Sequence, residues 1–158
     1  MAFSSRRGFL TLMGGTILIA GCSNLGSRGV SIGADDYTTS ALPLVNKIRK
    51  DRDLASLSPQ SQARKAAAEQ AVRMAKAEKM THLIGAGDSF LSRMKRNDVP
   101  LPASENIASG QNSVEDAVEA WINSKRHLVN MIGDYRGLGV AVARSSTSRT
   151  YWAMVLCA

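Results

Sequence analysis

Only two histidines occur in the chain, His82 and His127. Imidazole binds metals and moves protons near neutral pH, so any chemistry is expected to use these two side chains. Ser124 lies shortly before His127 and supplies a hydroxyl. Neither a partner aspartate nor a nucleophile-elbow motif accompanies it, which argues against a serine hydrolase. Asp134 is available, but Gly133 before it reads as a turn. Cys157 has no basic neighbour in sequence to lower its pKa and reads as a buried, inert thiol. Trp121 and Trp152 are expected as core anchors.

These groups must be positioned by a small domain. Residues 23–36 are rich in Ser, Gly and Asp without a sustained period and read as a tether, so the domain is expected from Tyr37 to Ala158. Leu44, Val45 and Ile48 mark a first helix from about Thr39 to Arg52. Ser58-Pro59 reads as a helix start, followed by alanines at helical spacing to about Lys79. His82 falls just past that end. Asp88 is a candidate cap for a short helix through Phe90, Leu91 and Met94, and Val99–Ala103 reads as a loop. Ser113 opens another helix, with Glu115 and Asp116 in its first turn and Lys125 and Arg126 at its C-terminus. Residues 137–143 and 150–157 alternate and form a hairpin about a turn at 145–148. Helices first and strands last predict a layered α+β domain, not repeated βαβ units.

The 158 residues carry a formal charge of +7. Lys47, Arg49, Lys50, Arg64, Lys65, Arg93, Lys95 and Arg96 are scattered, and aromatics make up only 5%. Nucleic-acid binding needs a continuous basic face, so no nucleic-acid partner is expected. Arg6-Arg7 precedes a short apolar run from Phe9 to Ala20, which fits a signal peptide over 1–21. Ser5–Leu10 (SRRGFL) resembles the twin-arginine export motif. Ile19-Ala20-Gly21-Cys22 resembles the lipobox of bacterial lipoproteins, which implies lipidation of Cys22 and a membrane anchor. With Cys22 modified, Cys157 has no intramolecular disulfide partner. Ser23 after the cysteine resembles outer-membrane sorting signals, so the expected location is the periplasmic face of a bacterial membrane, the outer one favoured.

Three segments carry a further resemblance: SENIASG at 104–110, WINSKRHLVNMIGDYRGLG at 121–139, and the closing YWAMVLCA. With Asn46-Lys47-Ile48-Arg49 in the first helix, their order is similar to that of bacterial members of the CAP superfamily (cysteine-rich secretory, antigen 5 and pathogenesis-related proteins). The resemblance covers roughly Leu42 to Ala158. It implies a three-layer α-β-α sandwich with a small, mainly antiparallel sheet. It also implies a cleft that usually presents two histidines and two acids. His82, Glu105 and His127 match three of them, and Ser124 stands where the second acid usually is. Arg126 replaces a common glycine before His127, and Ser104 one before Glu105; a basic residue there weakens a direct transfer of metal binding.

Two imidazoles, one carboxylate and water could complete a zinc or looser divalent site. The same trio, with Ser124 near, could work by acid–base catalysis. The third reading is a structural polar cluster, in which His127 caps the helix before it. Asn106 and Asn130 are expected to satisfy backbone groups around the cleft. A lipid-anchored envelope module that binds a ligand or partner, such as a lipid or cell-wall component, is therefore favoured. A hydrolase acting through His82, Glu105 and His127 and a structural envelope protein are the alternatives.

Overall fold

The computed structural model describes Met1 and residues 33–158. The signal segment, Arg6-Arg7 and Cys22 lie outside the described residues. Five strands form one sheet: β1 (Ala34–Asp36), β2 (Ser58–Pro59), β3 (Ala103–Ser109), β4 (Gly137–Arg144) and β5 (Thr150–Cys157). Its spatial order is β1-β4-β5-β3, with β2 alongside β4. All pairs are antiparallel except β2 with β4.

Strands β4 and β5 are almost entirely buried and alternate between two cores. Leu138, Val140, Val142, Trp152, Met154 and Leu156 face one side. Ala141, Ala143, Tyr151, Ala153, Val155 and Cys157 face the other. A sheet apolar on both faces must be covered twice. Helices α1 (Thr38–Lys50), α4 (Val114–Ile122) and α5 (Lys125–Met131) lie on the first side. Helices α2 (Ser61–Ala77) and α3 (Phe90–Arg96) lie on the second. The result is the expected α-β-α sandwich. Trp121 and Trp152 are fully buried in the first core, and Cys157 in the second, where burial pushes its thiol pKa up.

The α2 side is packed with small residues. Ala63, Ala66, Ala67, Ala71 and Ala75 are wholly inaccessible, so the helix lies directly on the sheet. At Gly139, a Cβ would fall inside the van der Waals shell of the Ala63 and Arg64 backbone.

The first-helix motif is a pair of clamps. The Asn46 side-chain amide exchanges two hydrogen bonds with the backbone of Leu57, at 2.8 and 3.0 Å. Arg49, buried and paired with no carboxylate among the described residues, donates to the carbonyls of Ala55, Met131, Gly133 and Tyr135. Burial lowers its pKa, as does the charge of Arg136; the four carbonyls replace its hydration.

Several expectations change. Residues 34–36, expected in the tether, belong to the sheet: Ala34–Asp36 pair with β4, and Arg64 bonds to Asp36. Ser58-Pro59 starts no helix: Ser58 and Gln60 donate their backbone N–H groups to Arg136 and Leu138, and α2 begins after Gln60. Asp88 does not cap α3. Ser89 does, accepting from the Ser92 N–H, while Asp88 pairs with Arg73 and Arg96. The helix from Ser113 ends at Ile122, and Lys125 and Arg126 open α5 instead. His127 thus sits inside the next helix and caps nothing before it. Periodicity assigns no element between Ala103 and Ser113, yet β3 lies there.

Replacing Gly139 with Ala should destabilise the domain by about 3 kcal/mol, since the obstructing atoms are backbone and cannot swing aside. Arg49→Met should cost about 3 kcal/mol by orphaning buried carbonyls. Urea unfolding of each variant measures both.

Candidate functional site

Strand β3 is the edge strand beside β5, and its residues point alternately to the two layers. Glu105 lies opposite Val155 and faces α2 and α3. Asn106, opposite Met154, points to the α4–α5 side. The two faces meet beyond the free edge of β3, where the loop between α2 and α3 passes. That loop carries His82 and is held by Gln70, which donates to the Thr81 carbonyl at 2.8 Å.

The Glu105 side chain is only 2% exposed. It accepts both Arg93 guanidinium N–H groups, Nη1 to Oε2 at 2.7 Å and Nη2 to Oε1 at 2.9 Å. Arg93 is itself 1% exposed. Its Nη2 also donates to the His82 carbonyl at 3.3 Å, and its guanidinium lies over the Phe90 ring. His82 Nδ1 donates to Glu105 Oε1 at 2.8 Å from a half-exposed ring. Burial pushes the Glu105 carboxyl pKa up, but the hydrogen bonds from His82 and Arg93 and their charges hold it below its ordinary value.

On the other face, Asn106 donates to the His127 carbonyl at 3.0 Å. Asn130 donates to Asn106 Oδ1 at 2.8 Å and to the Glu105 carbonyl at 3.4 Å. These bonds tie α5 to β3. Ser124 is the N-cap residue of α5, but its side chain makes no capping bond. Ser124 and His127 line a cavity of about 310 Å³ with Met80, Ile107, Ala108, Ser109, Gln111, Ala120, Trp121 and Arg149. Trp121 donates its indole N–H to the Ile107 carbonyl at 3.1 Å, fixing the ring in the wall. Gln111 Oε1 is buried without a donor among the described residues. Arg149 donates to Ser109 and pairs with no carboxylate among the described residues. Burial lowers the His127 pKa, and the nearby charge of His82 lowers it further.

The expected metal trio is not assembled. Among the described residues no group of three His, Cys, Asp or Glu side chains is placed to hold a metal ion. Both Glu105 oxygens are turned to Arg93, and α5 approaches β3 from its other face. The residues present therefore do not fit a divalent cation. Arg93 is the residue that sequence reasoning missed, because nothing in FLSRMKR separates its inward guanidinium from the outward Lys95 and Arg96.

Both ionisable groups oppose acid. Stability from Glu105 is complete above its unfolded pKa and lost as pH falls through its lower folded value. His127 has a folded pKa below the ordinary 6.5, so the unfolded chain takes the proton first and stability falls as pH drops from 6.5. Unfolding free energies measured across pH should show one loss beginning near 6.5 that His127→Gln removes. A second loss, below 4.5, should shrink in Glu105→Gln and keep the part that comes from Asp36 and Glu69, whose carboxyls are also held low by their partners.

Comparison with solved structures returns the same architecture. An outer surface protein from Borrelia burgdorferi aligns with a TM-score of 0.66 at 21% identity, over 75% of this chain and 89% of that one. An extracellular SCP-domain protein from Bacillus anthracis gives 0.66 at 24%, over 77% of this chain and 40% of the other. A cysteine-rich secretory protein from Staphylococcus aureus gives 0.56 at 19%, over 75% and 37%. This chain thus spans less than half of the latter two proteins. No curated protein sequence matches significantly. The cysteine-rich secretory protein family matches residues 42–157, from within α1 to the end of β5. With most of the sequence inside that match and the sandwich in place, the chain belongs to the CAP family.

Proposed function

We propose that the protein is an exported, lipid-anchored envelope module that binds a small amphipathic anion in the cavity beside α5. The cavity carries this reading. Its body is apolar, formed by Ile107, Ala108, Ala120 and Trp121, and its rim holds Ser109, Ser124, His127 and Arg149. Such a wall with a few convergent polar groups is the usual form of a ligand site. An anionic head would meet Arg149 on the rim. Export is supported by the signal-like N-terminus and by two structural neighbours described as an outer surface and an extracellular protein. The lipobox-like Ile19–Cys22 supports anchoring through Cys22 at the periplasmic face of a membrane, and Ser23 favours the outer one.

A binding role accounts for the site better than catalysis. Glu105 is committed to Arg93. No hydrogen bond joins Ser124 to His127 among the described residues, so the hydroxyl lacks a positioned base.

N-Octanoylglycine combines a tail, an amide N–H and a carboxylate, and is the test probe. Titrated into the full chain, it should shift the resonance of the Trp121 indole N–H, which lies in the cavity wall. Ala120→Phe should fill the cavity and abolish the shift, and Arg149→Ala should weaken binding about tenfold, a loss of about 1.4 kcal/mol. A Trp121 shift that persists in Ala120→Phe would sink the reading.

A further inference from the structure

We propose that the Arg93 guanidinium permanently occupies the cation position at Glu105, so that the His82–Glu105 centre is complete without a metal ion. The buried carboxylate carries one negative charge, and Arg93 carries one positive charge against both of its oxygens. The pair is neutral. The second acid of the family pattern is replaced by Ser124, and among the described residues no group of three potential ligands gathers a further carboxylate at the centre. A divalent ion at Glu105 would face a buried guanidinium at hydrogen-bond range, with no second carboxylate among the described residues placed to offset it. Like charges in a dry site repel strongly.

The guanidinium also does what a metal would do for the fold. A structural cation joins separate chain segments through one centre. Arg93 joins β3 through Glu105 to the His82 loop through the His82 carbonyl, while starting from α3. Its planar fork supplies fixed, paired donors that an ion cannot. His82 completes the arrangement by donating Nδ1 to the same carboxylate, which leaves Nε2 as its free atom. Taking the guanidinium away would leave a buried carboxylate and the His82 imidazole bonded to it.

The test is Co²⁺ binding by the full chain, read by its visible d–d absorption, together with the thermal midpoint in Zn²⁺ or EDTA. Wild type should show no band and no change in midpoint. Arg93→Lys keeps the charge and should also show none. Arg93→Gln removes it and should give a Co²⁺ band, which is lost on adding His82→Ala. A wild-type band that disappears in His82→Ala would overturn the proposal, as would a folded Arg93→Gln protein without one. If Arg93→Gln does not fold, Arg93→Lys decides: a metal-dependent band there refutes the substitution, and none supports it.

Discussion

The burial of β4 and β5 on both faces is the constraint from which the rest follows. A two-sided apolar strand pair cannot stop at two layers, and its faces demand different partners. One carries Trp152, Met154 and Leu156 and takes α1 and α4 at ordinary side-chain spacing. On the other, β4 presents Gly139, Ala141 and Ala143 and takes α2 in near-backbone contact. This asymmetry brings α2 close to the sheet and sends the loop after it past the edge at β3. His82 reaches Glu105 by that route.

Burying a carboxylate at the edge of such a sheet is costly unless its charge and lone pairs are met. Here the neighbouring helix α3 meets both demands through Arg93. The pair is a structural device, and it leaves the chemistry of the cleft to the other face. There His127, Ser124 and Arg149 surround an apolar cavity without forming a hydrogen-bonded relay. The CAP fold thus supplies a frame in which two adjacent polar features are placed differently, one locking the His82 loop and one lining the open cavity beside α5.

Two asparagines and one arginine explain the recurring polar motifs. Asn106 and Asn130 hold α5 against β3, and Arg49 holds the segment after α5 against α1. Each meets carbonyls that a loop or helix end would otherwise leave dry. Such motifs can look catalytic in sequence because polar residues at fixed spacing are the mark of both roles.

The layered α+β class, the β4–β5 hairpin, the alanine face of α2 and the two core tryptophans were legible from the residues alone. Each is set by local periodicity or by the size of an apolar side chain, which a linear chain displays. The small strands β1 and β2 were not legible, since Ser58-Pro59 carries a helix-start signal and only its pairing with β4 makes it a strand. The break at Asn123-Ser124 likewise follows from how α5 docks on β3. In the site, the sequence named His82, Glu105 and His127 through a family pattern, but their grouping was decided by strand alternation, which puts Glu105 and α5 on different faces. Arg93 became visible only in three dimensions, because a buried guanidinium and a solvated one have the same letter, and what separates them is the distant carboxylate that folding brings to it.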